Sequence, residues 1–181
     1  MLKLEEPTFG FNAHDVGFPH YKMWETIDAP RGADVQLLLD SIVRANRLAL
    51  ENQQKPLANI VLNCHGYPGR VWLGGVFSGF LDMSTVSALS VLKPKNLGTI
   101  WLTSCAAAKE SRGKLFCMTL SLLTGCPVVA SEASQEVDMW GAWRIKSGLP
   151  GLIDEMEGTV LRFTANSVYS RVNPHDLPGV K

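Results

Sequence analysis

The chain has neither an excess of charge of one sign nor a long apolar run. Its 181 residues carry 17 Lys and Arg against 17 Asp and Glu, so the formal net charge is zero. Nucleic-acid-binding domains usually show a basic surplus or a basic stripe, and neither is visible here. The apolar stretches are interrupted well before the roughly 20 residues that a helix needs to span a bilayer. We therefore expect neither a nucleic-acid partner nor a membrane segment.

Cysteine is scarce and irregularly spaced. Cys64, Cys105, Cys117 and Cys126 stand in apolar surroundings, without a C-x-x-C or H-x-x-x-H pair, so we expect no zinc site and no other cofactor. Buried free thiols are typical of a reducing compartment. The segment Met1–Glu6 lacks the basic region and apolar run of a signal peptide. The expected location is the cytoplasm, and delivery by a leaderless route stays open.

Strand and helix patterns alternate along the chain, which predicts one α/β domain over residues 1–181. The predicted strands are 21–27, 58–64, 98–104 and 127–130, with a hairpin over 70–77 and an antiparallel edge of 139–145 with 159–163. The predicted helices are 33–53, 84–92 and 112–124, with Asp34 near the first start, Asp82 or Ser84 as the second cap, and Gly125 as the last stop. We expect an irregular lead-in over 1–20 and a tail from about 166 that either packs or frays. The fold class expected from this order is a three-layer α/β sandwich with a mainly parallel sheet.

Two of the predicted strands end in reactive side chains. The segment Ala58–Cys64 runs into His65 and Gly66, and the segment Gly98–Ser104 runs into Cys105. If these strands lie side by side and parallel, the imidazole and the thiol emerge from the edge of the sheet where open α/β sheets place their chemistry. A general base beside a sulfur nucleophile is the minimum requirement for covalent acyl transfer.

This arrangement resembles the caspase-like cysteine peptidases, a superfamily that includes caspases, metacaspases, legumain, clostripain, gingipains and CHAT domains. The resemblance extends from about residue 34 to 135, and the order of elements is most similar to the CHAT and gingipain branch. It implies a cysteine endopeptidase that forms a thioester acyl-enzyme with a protein or peptide substrate. His65 would be the general base and acid, and Cys105 the nucleophile. In relatives, the corresponding backbone N–H groups form the oxyanion hole, which assigns that role to Gly66 and Cys105.

Two segments are expected to set the substrate specificity. Thr103 stands two places before the nucleophile, where metacaspases, clostripain and legumain have an acidic residue and caspases have Gln. The loop 131–138 is the other place where relatives build the substrate pocket, and there Glu132 and Asp138 are candidates to attract Lys or Arg. Because Thr103 is small and uncharged, we expect a small or apolar P1 residue. An acidic P1 is least expected, since neither segment contains Arg or Lys.

Three alternatives stay open. A His or a Cys at a strand end is often structural, so the chain could be a catalytically silent caspase-like module that binds a partner. Several relatives need an activator, so an activating partner is a second possibility. The segment His65–Gly69 also resembles the His-Gly-x-Pro oxyanion segment of α/β-hydrolase esterases. However, the chain has no G-x-S-x-G elbow, and its only later histidine is His175. Cys64 should point away from His65 into the core, because side chains alternate along a strand.

Overall fold

The computed structural model describes residues 1–17, 20–75, 79–135 and 150–181. Its strands are β1 (Leu2–Lys3), β2 (Thr8–Asn12), β3 (Glu25–Asp28), β4 (Asn59–Asn63), β5 (His65–Tyr67), β6 (Arg70–Trp72), β7 (Phe80–Asp82), β8 (Thr99–Leu102), β9 (Val128–Ser131), β10 (Leu152–Ile153), β11 (Val160–Phe163) and β12 (Tyr169–Arg171). Its α-helices are α1 (Val35–Gln53) and α2 (Glu110–Thr124), and 3-10 helices span Val86–Lys95 and Pro174–Asp176.

The main sheet has seven strands in the order β12-β11-β9-β8-β4-β2-β3. The strands β9, β8, β4, β2 and β3 run parallel, whereas β11 and β12 add an antiparallel edge. The predicted α/β class is therefore confirmed, with a mixed sheet. Because β8 lies beside β4 in parallel, with Leu62 opposite Leu102, the residues after both strands emerge at the same edge.

The two faces of the sheet are covered differently. Buried side chains of α1, α2 and the longer 3-10 helix form one apolar cluster with sheet residues such as Phe9, Ile60 and Ile100. The opposite face carries Val61 and Trp101, which pack against the ribbon of β1 and β10. Within the described ranges, the second face is thus covered by a β-ribbon and irregular segments. The second helical layer expected of a three-layer sandwich is not among them.

Two of the three helix ends predicted from capping residues are present in the structure. The Asp34 side chain accepts a hydrogen bond from the Leu37 N–H at 2.9 Å and starts α1. Gly125 adopts φ of 73° and ends α2, as expected from sequence. The helix predicted over 84–92 is a 3-10 helix that starts later and contains Pro94. Its expected cap is wrong, because the Asp82 carboxylate instead accepts from Ser84 in the preceding turn, at 2.9 Å from its N–H.

The prediction of an irregular lead-in over residues 1–20 is wrong. β2 is a fully buried strand of the main sheet, hydrogen-bonded between β4 and β3. Phe9 and Phe11 alternate with Gly10, but a central glycine lowers the strand propensity of the segment. The fold uses that glycine because a Cβ there would lie 2.8 Å from the Met23 Cγ.

Of the two outcomes expected for the tail from about residue 166, packing on the domain is the one that the structure shows. β12 pairs with β11, and the Gly179 carbonyl accepts from the Glu5 N–H at 2.7 Å. The antiparallel edge expected of 159–163 is present, but its described partners are β9 and β12. The segment 139–145 that we expected beside it lies outside the described residues. The hairpin expected over 70–77 is instead part of the small sheet β5-β6-β7, whose described strands precede and follow 76–78.

Candidate functional site

The two strand ends meet through a glycine. A Cβ placed on Gly66 would lie 2.6 Å from the Cys105 carbonyl oxygen and 2.6 Å from the Ser104 Cβ. Only a residue without a side chain lets β5 approach the turn that carries Cys105 this closely. The structure therefore brings together His65, Gly66 and Cys105, the three residues that the sequence assigned to catalysis.

The imidazole of His65 is half-buried and held by a main-chain group. Its Nε2 lies 3.0 Å from the carbonyl oxygen of Asp15, and its ring packs 6.1 Å from the ring centroid of Trp72. A carbonyl oxygen can only accept, so Nε2 carries the proton of the neutral ring. The lone pair that could take a proton from a thiol is then on Nδ1.

The thiol of Cys105 is half-buried and also has main-chain partners. The Gln135 N–H donates to Sγ at 3.3 Å, and Sγ donates to the Gln135 carbonyl oxygen at 3.5 Å. The next residue, Ala106, adopts φ of 50°, and its N–H donates to the Ala133 carbonyl at 2.7 Å. The hydrogen bonds of the imidazole and the thiol thus go to Asp15 and Gln135, not to each other. Catalytic hydrogen bonds are often loose before substrate binds.

The other three cysteines are poor nucleophiles because they are buried. Burial raises the pKa of Cys64, with the charge of Asp15 adding to the effect, and burial also raises the pKa of Cys117. Burial raises the pKa of Cys126 to about 11. The core position predicted for Cys64 is confirmed. Cys105 is the most exposed of the four, all of which are free thiols.

The register of β5 against β6 indicates the direction of the Gly66 N–H. Tyr67 pairs with Arg70 across a two-residue turn, and this closing pair exchanges the hydrogen bonds. Because such pairs alternate along an antiparallel ladder, Gly66 opposite Val71 occupies a position without ladder hydrogen bonds. Its N–H therefore points away from β6.

The proposed pocket residues are arranged less simply. The Thr103 hydroxyl donates to the Leu62 carbonyl at 3.2 Å, and it also contacts the phenol of Tyr21, whose pKa is raised by burial. The Glu132 carboxylate is paired with the Lys114 ammonium of α2 at 2.8 Å. Glu132 is therefore turned towards α2, although its loop continues to Gln135 at the thiol. Asp138 lies outside the described residues.

Sequence reasoning missed the two residues that contact the reactive groups. Asp15 lies in the segment expected to be irregular, and Gln135 lies in the loop for which only acidic side chains were considered. Both act through main-chain carbonyl or N–H groups, which nearly all residue types provide. No pattern of residue types could therefore have identified them.

Comparison with models of known protein families gave no match, and comparison with curated protein sequences gave none either. Within the described ranges, no group of three or more His, Cys, Asp or Glu side chains is placed to hold a metal ion. No helix in the described part of the chain is both long and apolar enough to cross a membrane.

Proposed function

We propose that the protein is a caspase-like cysteine endopeptidase that hydrolyses peptide bonds through Cys105 and His65. One observation carries the proposal, namely the contact of Gly66 with the backbone of Cys105 at the shared edge of two parallel strands. This contact puts Gly66, which directly follows His65, against the backbone of Cys105. In the proposal, the His65 imidazole, the half-buried Cys105 thiol and the Gly66 N–H act together. Acyl transfer needs these three components.

The chemistry follows from these positions. Nδ1 of His65 takes the thiol proton as Sγ attacks the peptide carbonyl carbon. The N–H groups of Gly66 and Cys105 hold the resulting oxyanion. The intermediate collapses to a thioester and the amine leaves with the proton from the imidazolium. Water then gives a proton to Nδ1 and attacks the thioester, which releases the carboxylic acid and restores the thiol.

The caspase-like three-layer architecture is part of the proposal. It is supported by the adjacent parallel strands β4 and β8, by the His-Gly hairpin after β4 and by α2 after the nucleophile. The helical layer of α1 and α2 on one face also fits it. The free cysteines fit a cytoplasmic location. A crystal structure that showed only the β-ribbon on the second face would replace the three-layer part with a two-layer fold.

For the substrate, we propose a protein or peptide with a small or apolar P1 residue. Thr103 is uncharged, and the Glu132 carboxylate is already neutralised by Lys114. A randomised peptide library analysed by mass spectrometry measures the preference. A dominant acidic P1 would show that the pocket lies elsewhere, and a dominant Arg or Lys would return Glu132 or Asp138 to that role.

The test of the reaction is a mutant cycle. We expect His65→Ala and Cys105→Ala each to lower peptide hydrolysis at least about a thousand-fold, with no further loss in the double variant, because base and nucleophile act as one unit. His14→Ala is the control, since His14 is an exposed histidine. Melting temperatures should change little. Substantial hydrolysis by Cys105→Ala would end the proposal and favour the esterase alternative.

One observation favours a second candidate, a module that is silent or waits for an activating partner. The Cys105 thiol is engaged by the main chain of Gln135, not by the imidazole. In this state, the segment that carries Gln135 would have to move away from the thiol before the enzyme could turn over substrate. Absence of cleavage across the peptide library, together with ready alkylation of Cys105, would favour this candidate over the constitutively active enzyme.

A further inference from the structure

The side-chain amide of Asn12 is fully engaged at the carboxyl end of β2, where it is 1% exposed. Its Oδ1 accepts from the Tyr21 N–H at 3.0 Å and from Nδ2 of Asn63 at 2.9 Å. Its Nδ2 donates to the Tyr21 carbonyl at 3.1 Å and to Oδ1 of Asp28 at 2.9 Å. These contacts use both donors and both lone pairs of the amide.

The amide closes the segment between Asn12 and Tyr21. Both main-chain groups of Tyr21 bond to the Asn12 side chain, so the two ends of the segment are held together. The start of the segment is also tied to β4, because the Ala13 N–H donates to the Asn63 carbonyl at 2.9 Å. β4 leads directly into His65.

Asp15 lies within this closed segment and presents its carbonyl oxygen to Nε2 of His65. The carboxylate oxygens of Asp15 are buried and make no hydrogen bond among the described residues. The contribution of Asp15 to His65 therefore comes from its main chain. A substitution of the Asp15 side chain cannot remove that carbonyl, so the group to test is the one that fixes its position.

We propose that Asn12 is a positioning residue for His65. By clipping the segment that carries Asp15, the Asn12 amide holds the carbonyl that keeps the proton on Nε2 and leaves Nδ1 free to take the thiol proton. The inference rests on the proposed function of His65, but the state of the imidazole can be measured without any peptidase activity.

The experiment is long-range ¹H–¹⁵N NMR of the His65 imidazole in the full chain. We expect the wild type to show one neutral tautomer, protonated at Nε2, and Asn12→Ala to show a mixture of tautomers. Asn46→Ala is the matched control. Asn46 is also a buried asparagine, but among the described residues its side chain bonds the Leu57 N–H alone, at 3.1 Å. If Asn12→Ala does not fold, Asn12→Ser keeps a hydroxyl at the site and is measured in the same way.

A second measurement separates positioning from stability. We expect kcat to fall roughly ten-fold or more in the Asn12 variant with KM unchanged, since small displacements of a catalytic group reduce rates strongly. The inference is overturned if the folded Asn12 variants keep the wild-type tautomer, if Asn46→Ala changes it equally, or if the wild type is protonated at Nδ1. If the wild type shows no peptidase activity, the proposed function fails, whereas the NMR comparison still decides the role of Asn12.

Discussion

Replacing Gly66 by alanine should break the site by steric overlap alone. Gly66 does not adopt a positive φ, so the backbone itself tolerates alanine. The new Cβ would lie 2.6 Å from the Cys105 oxygen and the Ser104 Cβ, about 0.8 Å inside the 3.4 Å at which ordinary van der Waals contact begins. Both atoms belong to backbone or Cβ and cannot rotate away. Relieving the overlap requires β5 and the turn that carries Cys105 to separate by a comparable distance.

The expected magnitudes follow from that separation. Overpacking of this kind costs about 1–3 kcal/mol of unfolding free energy. A catalytic group displaced by about 1 Å costs on the order of a hundred-fold in rate. The measurements are peptide hydrolysis and urea unfolding of Gly66→Ala.

Gly17→Ala is the control for this prediction, because no atom of the described part of the chain lies within 4 Å of a Cβ at that glycine. It should keep both the activity and the stability of the wild type. Full activity and full stability of Gly66→Ala would refute the argument that β5 must lie in close contact with the turn that carries Cys105. Loss of stability with unchanged kcat would show that the contact serves the fold and not the chemistry.

Three further predictions concern thiol reactivity and stability. Brief iodoacetamide treatment of the native protein should label Cys105 first, since the other thiols are buried, and mass spectrometry that found another thiol labelled first would contradict this. Asn59→Leu should lower the unfolding free energy by about 1–3 kcal/mol in urea titrations, because it leaves the buried Trp101 indole N–H without the Asn59 oxygen, now at 2.9 Å. Burial raises the pKa of Asp82, but hydrogen bonds from Ser84 and the paired guanidinium outweigh it and hold that pKa below its usual range. The stability lost in Asp82→Asn should therefore be greatest above about pH 4 and shrink as the pH falls further. A loss that grew on acidification would contradict this sign.

The sequence predicts best those elements whose signal is local. β4 and β8 are short apolar runs rich in β-branched residues, and their pairing brings His65 and Cys105 to one edge. The start of α1 follows from a single cap, Asp34. β2 was missed because its central residue is Gly10. A Cβ there would lie close to the Met23 side chain, which belongs to a different part of the sequence. A tertiary contact accounts for the glycine at this position, and local strand propensity does not indicate such a contact.

The partners of the reactive groups were missed for a different reason. Asp15 and Gln135 contact His65 and Cys105 through carbonyl and N–H groups, which are common to nearly all residue types. Only the path of the backbone determines where such groups lie. Asn12 differs from these two residues because it acts through its side chain. A buried amide needs hydrogen-bond partners, so an asparagine at a strand end is a residue type that can draw attention.

The contact between Cys105 and Gln135 has a consequence for genetic screens of this protein. The sulfur accepts from the Gln135 N–H and donates to the Gln135 carbonyl oxygen. Both partners are main-chain groups, so a scan that replaces the side chain of residue 135 would leave these hydrogen bonds in place. Such a scan would score the position as tolerant, apart from effects through the amide that bonds Glu157. Proline is the one replacement that deletes the N–H donor itself. Tolerance at position 135 would thus conceal a direct neighbour of the thiol.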